Sequence, residues 1–121
     1  DPGRFELRLM DGSVNPYLLQ ASVLAAGLYG LKNKIDPGKP LNCNMYEDHA
    51  KYPDLPKLPN ELGQSLEQLK NNKEMNDAFG KETIMSYIKL RSLEIREFQS
   101  KENFDKTKPI SKWEKDNTLD C

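Results

Sequence analysis

Arg4, Glu6 and Arg8 stand at alternate positions in the stretch RFELRLMDGSVNPYL. Two guanidinium forks flanking a carboxylate can handle anions and a divalent cation together. Arginine grips a carboxylate or phosphate through paired N–H donors, and glutamate offers the hard oxygen ligands that a metal such as Mg2+ takes. The plainer reading is an exposed sheet face carrying an ion pair of little energetic weight, and spacing alone does not separate the two. Elsewhere the chemistry is thinner. Arg91 stands among apolar neighbours with Glu94 three residues on, the pattern of a snorkelling arginine paired with a carboxylate. The single histidine, His49, lies beside Glu47 and Asp48 in an irregular stretch and reads as a surface residue, as does Tyr46 in NMYEDH. No Ser-His-Asp, Cys-His, phosphate-loop or paired-carboxylate arrangement is visible.

The elements that must carry these residues follow from periodicity. In a strand successive side chains turn to opposite faces, so Arg4, Glu6, Arg8 and Met10 share one side while Phe5, Leu7 and Leu9 share the other. Residues 4–10 are therefore expected to form a β-strand with one charged and one core face, closed by a turn through Asp11 and Gly12. Asn15 is a good N-cap, and Pro16 suits the first helical position, where its missing N–H costs nothing. From residue 17 to residue 31 the chain is apolar or small nearly all round, the pattern of a helix covered on every side. Lys32 and Lys34 then complement the helix dipole, and the DPG turn at 36–38 is expected to close the element.

Residues 36–60 read as an irregular, Pro-rich connector, with Pro53, Pro56 and Pro59 at every third position favouring an extended path. Asn60 is expected to cap a second helix whose Leu62, Leu66 and Leu69 share a face. A short helical piece over residues 74–79 leads to Gly80. A third helix over residues 81–99 aligns Ile84, Ile88, Arg91, Ile95 and Phe98 on one stripe with Leu90 and Leu93 opposite, which suggests a helix between two layers. Beyond Ser100 comes a polar tail with Phe104, Ile110, Trp113 and Leu119 as anchors. The fold class expected is thus α+β: one N-terminal β-strand, about three main α-helices, the Pro-rich connector and the polar C-terminal tail, in one domain over residues 1–121.

Composition narrows the partners. The 18 Lys and Arg against 19 Asp and Glu leave a net charge of -1, no field to draw in a polyanion, so nucleic acid is not an expected partner. The most apolar run, residues 18–31, falls short of the roughly 20 residues that span a bilayer, so no membrane is expected either. Cys43 and Cys121 lack metal-ligand spacing, and no basic-then-apolar leader opens the sequence. Both read as free thiols of a cytoplasmic protein.

The run RFELRLMDGSVNPYLLQASVLAAGLYGLKNKIDPGKPL resembles the C-terminal part of the glutamine synthetase catalytic domain. There an R-x-E-x-R strand precedes a turn, N-P-Y-L, an Ala-rich helix with A-G-L-x-G, and K-N-K-I-x-P-G. Downstream, NMYED is similar to the family's N-L-Y segment, MSYIKLRSLEIREF to its penultimate helix and SKWE to its terminal W-E. The resemblance implies an ATP-dependent glutamate–ammonia ligase that makes glutamine through γ-glutamyl phosphate. Such a site needs metal to neutralise phosphate charge and arginines to hold substrate and phosphoryl oxygens.

By this resemblance Glu6 is a ligand of Mg2+ or Mn2+, Arg8 is the catalytic arginine that binds the substrate glutamate, and Arg4 lies on the ATP phosphate side. The family's other metal ligands lie upstream of this strand, which implies that the chain is part of a longer catalytic domain and makes no glutamine alone. Glutamate, ammonia and ATP are the implied partners of the complete enzyme, and a homo-oligomer its implied assembly. Tyr46 falls where some bacterial members carry an adenylylated tyrosine, although MYEDHAKYPD departs from the usual surroundings. Two alternatives stay open: a γ-glutamylamide synthetase using methylamine or a polyamine, and a non-enzymatic helical association module.

Overall fold

Asn15 opens the first helix as its sequence requires. Its side-chain oxygen accepts the amides of Tyr17 and Leu18, each at 3.0 Å, and Pro16 takes the first helical position. In this computed structural model, which describes residues 3–101 and 110–118, the helix is α1, Pro16–Lys32. It ends earlier than the DPG turn. Lys34 adopts φ 52°, its amide reaches the Leu31 carbonyl at 3.2 Å, and the Ile35 amide reaches the Gly30 carbonyl at 3.0 Å. Those two bonds are a Schellman termination, here built on a left-handed lysine instead of glycine. The DPG segment follows as a separate turn, in which the Asp36 carboxylate accepts the Gly38 amide at 2.9 Å.

Within the connector, α2 (Met45–Asp48) is a single turn capped by Asn44, and a 3-10 turn (His49–Lys51) continues it. Next comes α3 (Leu62–Asn71), which starts one residue later than expected. Its N-cap is Glu61, which makes no side-chain cap bond, and the Gln64 side chain instead reaches back to the Asn60 amide at 3.2 Å. Asn60 thus lies one residue before the N-cap and accepts no helix amide; it is held through its own N–H by Gln64.

α4 (Lys73–Phe79) is fused to α3 through Asn72, whose amide closes α3 on the Leu69 carbonyl while its side chain accepts the Met75 amide at 2.8 Å. Gly80, at φ 82°, turns the chain into α5 (Lys81–Lys101), a conformation that suits glycine because it has no Cβ. α6 (Lys112–Thr118) falls in what the sequence suggests is only a polar tail. Ser111 and Glu114 make the reciprocal bonds of a capping box, at 2.7 and 3.0 Å, and Trp113 meets Phe98 edge-on with ring centroids 5.7 Å apart. Phe104, Leu119 and Cys121 lie outside the described residues.

α5 is the centre of the packing. α3 and α4 lie against it, and α4 in turn contacts α1. The buried core among the described residues is Leu66 of α3 and Ile84 of α5. Ile88, Arg91, Ile95 and Phe98 of the expected stripe are half-buried, and Leu90 and Leu93 on the far side stay exposed.

The expected α+β class does not hold: among the described residues the chain is helical and forms no strand. Residues 4–10 run without regular structure and make no backbone hydrogen bonds among the described residues. The reason is physical. Alternation tells which face a strand would bury, but a strand exists only where a neighbouring segment takes its N–H and C=O groups, and none lies alongside among the described residues. Phe5, Leu7 and Leu9 therefore form no core face; all three are exposed, Phe5 by 75%. Nor is α1 covered on every side, since none of its residues is buried.

Candidate functional site

Arg8 and Glu6 meet. The Arg8 Nε donates to Glu6 Oε1 across one intervening residue, and both side chains remain largely open to solvent. Spacing of two along an extended backbone puts both on one side, as the alternation requires. Arg4, also exposed, makes no ion pair among the described residues. The structure thus joins two of the three expected groups and leaves the third apart.

Between this segment and α1 lies a tightly bonded turn. The Asp11 carboxylate accepts the Ser13 hydroxyl at 2.6 Å and the Ser13 amide at 2.8 Å, and the Asp11 carbonyl accepts the Val14 amide at 3.4 Å. These two bonds from Ser13, the hydroxyl first, hold the Asp11 carboxyl below the usual carboxylate range. Asn15 follows at once as the cap of α1. The sequence marks Asp11 as a turn residue; its grip on Ser13 is the part that an Asp-x-Ser pattern signals and residue-type reading passes over.

A small cleft of about 160 Å3 opens between α1 and α4, lined by Ala25, Ala26, Tyr29, Asn72, Glu74 and Met75. The Tyr29 phenol lies near the Glu74 carboxylate, whose acceptor oxygen and then its negative charge raise it above its ordinary value. None of these residues belongs to the 4–10 segment. No sequence signal joins Tyr29 to Glu74, because their meeting depends on how α1 and α4 pack.

Among the remaining candidates, His49 is exposed and serves through its carbonyl, which accepts the Tyr52 amide at 3.2 Å. Tyr46 is exposed on α2. Cys43 is a free thiol with its sulfur 3.6 Å from that of Met45, and a hydrogen bond to Cys43 raises the Tyr52 phenol. Arg91 lies over the Tyr87 ring at 5.4 Å and holds both Glu94 oxygens through Nη1, at 2.8 and 2.7 Å, as the i, i+3 spacing suggests.

The chemistry this allows is limited and specific. Glu6 can give an oxygen ligand and the arginines can bind anions, but no three His, Cys, Asp or Glu side chains converge among the described residues. Mg2+ demands near-octahedral coordination, so one carboxylate already engaged by Arg8 does not by itself make a metal site. No helix among the described residues is long and apolar enough to cross a membrane.

Comparison with known proteins decides the relationship. The family described as glutamine synthetase, catalytic domain, matches residues 1–108. The chain belongs to that family. It is similar to a glutamine synthetase of Rhizobium meliloti (strain 1021), with 44% identity over 98% of this chain and 26% of the relative. A glutamine synthetase of Methanosarcina mazei is 36% identical over 80% of the chain and 22% of the relative. A glutamate–methylamine ligase of Methyloversatilis universalis is 34% identical over 98% of the chain and 25% of the relative. The chain spans about a quarter of the length of the curated relatives it matches. No solved structure matches it.

Proposed function

We propose that this chain is the C-terminal portion of an ATP-dependent glutamate–ammonia ligase. In this reading Arg8 binds the substrate glutamate, Glu6 supplies one oxygen ligand to a divalent metal, Mg2+ or Mn2+, and Arg4 faces the ATP phosphates. The observation that carries it is the pairing of Arg8 with Glu6 on an exposed segment of a chain whose sequence matches the family over residues 1–108. A carboxylate is a poor acyl donor until it becomes an acyl phosphate, so such a site must hold the substrate carboxylate and the phosphoryl oxygens close together. Guanidinium groups do both through paired N–H donors. Metal, when bound, neutralises phosphate charge. Ammonia then displaces phosphate from the γ-carbonyl. The same reading makes the complete enzyme a cytoplasmic homo-oligomer, and makes the 121-residue chain inactive alone, because one glutamate cannot hold the metal.

A hybrid tests this. The chain replaces the matching quarter of the Rhizobium meliloti relative, and phosphate release from ATP is measured with glutamate and ammonia. Activity is expected in the hybrid and none in the isolated chain. E6Q and R8K in the hybrid should each lower kcat/KM by about a hundredfold, the scale for losing one group that stabilises developing charge. A hybrid with no activity beside an active parent, or E6Q and R8K variants as active as the hybrid, would overturn the reading; an inert hybrid would favour the non-enzymatic association module.

The glutamate–methylamine ligase among the relatives supports a second reading, a γ-glutamylamide synthetase acting on methylamine or a polyamine. Residues 4–10 would serve either reaction. Replacing ammonia by methylamine in the isolated protein's own full-length enzyme separates them, with the ratio of the two kcat/KM values as the readout.

A further inference from the structure

Residues 4–10 have no ladder bonds to hold them, so among the described residues their direction relative to the helices is set where they join α1. That junction is five residues long and is bonded at both ends. Asn15 takes the first free amides of α1, and Asp11 folds the chain back onto Ser13 with one carboxylate oxygen receiving both the hydroxyl and the amide. The Asp11 carbonyl adds the bond from Val14. The acceptors all belong to residues 11 and 15 and the donors all follow them, so the turn is closed by short-range bonds that need no other part of the protein. Its burial is slight, and such a bonded turn at a surface has no packing reason to carry an aspartate rather than another polar residue.

We propose that Asp11 is a positioning residue: by holding the Ser13 amide and hydroxyl, it sets the direction in which Arg8 and Glu6 lead away from α1. The enzymatic consequence rests on the reading given under Proposed function; the structural consequence does not. Arg8 lies three residues before Asp11, so loosening the turn displaces its guanidinium while leaving its charge and its pairing with Glu6 intact. No charged group of another element acts on Asp11 among the described residues. The groups facing it are the two donors of Ser13.

Two measurements test this. In the 15N-labelled chain, residual dipolar couplings of the amides of residues 11–14 should share the alignment of α1. D11A should average those couplings toward zero while α1 keeps its own, and D11N should retain them, because an amide oxygen accepts the same two bonds. Couplings unchanged in D11A, or lost equally in D11N, would overturn the inference. In the hybrid enzyme described above, D11A should raise the KM for glutamate about ten- to a hundredfold, the scale of an ångström-sized misplacement, with D11N restoring most of it. An unchanged KM in D11A would show that the turn positions nothing the reaction uses. A hybrid inactive before any substitution at Asp11 would count against the proposed function, and the couplings would then decide the role of Asp11.

Discussion

The side-chain amide of Asn76 donates to the carbonyl of Asn72 at 2.6 Å, and the same amide reaches the Lys70 carbonyl at 3.2 Å. One asparagine in the first turns of α4 therefore closes carbonyls at the end of α3, which a helix terminus otherwise leaves open. Asn72 itself caps both helices, so the two residues form the hinge that fuses α3 to α4. Asn76→Ala removes both donors. Because the carbonyls lie at the surface and can turn to water, the expected loss is about 1 kcal/mol, the net value of an ordinary hydrogen bond. Urea unfolding should show a lower midpoint with an unchanged slope.

Lys34 offers the opposite opportunity. It holds a left-handed conformation at φ 52° in order to end α1, and a side chain with a Cβ is strained there by about 1 kcal/mol. Lys34→Gly relieves that strain and keeps both terminating bonds, while the freer unfolded chain returns part of the gain. The net effect should be a stabilisation of about 0.5 kcal/mol, seen as a higher thermal midpoint. A lower midpoint would mean that the lysine side chain makes a contribution beyond its backbone.

These two sites mark what can be read from residue types. The start of α1 is legible because an Asn-Pro pair has one economical use, and α5 is legible because Ile84, Ile88, Ile95 and Phe98 repeat at helical spacing. The end of α1 is not, since lysine carries no signature of a left-handed backbone. The false strand at residues 4–10 has a different cause. Its alternation is a true property of the segment, but pairing is a property of two segments, and among the described residues no second one pairs with it. In the candidate site, Arg8 and Glu6 are legible as neighbours from their spacing, Arg4 stands apart, and Asp11 is legible only as a turn. The contact of Tyr29 with Glu74 is set by the packing of α1 on α4, which no local pattern encodes.

Arg91 sits on the apolar stripe of α5, with about a third of its side chain and of that of Glu94 open to solvent. Its Nε is buried and has no hydrogen-bond partner among the described residues. Such a pair gains little over apolar packing, whereas removing one partner leaves a half-buried charge behind. The double change Arg91→Met with Glu94→Leu, which replaces both partners by apolar groups, should change stability by no more than about 0.5 kcal/mol, and Glu94→Ala alone should cost about 1 kcal/mol, discounted for the solvent that still reaches the guanidinium. Denaturation of the two variants under identical conditions compares them directly. The reverse order would show that the ion pair, and not the stripe, holds α5 in place.

The Tyr29 phenol tests how α1 meets α4. Its pKa is raised chiefly by the hydrogen bond to Glu74 and then by the charge of that carboxylate, with Lys73 opposing. A raised value in the folded state means that the favourable contact is fully present below the ordinary tyrosine range and is lost as pH climbs through the raised value. Glu74→Ala removes both the acceptor and the charge, so the Tyr29 signal in an ultraviolet titration of the phenols should fall back toward that of a free tyrosine. To isolate it, the titration is best followed as the difference between the chain and its Tyr29→Phe variant, since four other tyrosines are present. If the difference curve titrates in the ordinary range in the unsubstituted chain, then α1 and α4 do not hold these two side chains together in solution, and the cleft they line is not a fixed feature of the fold.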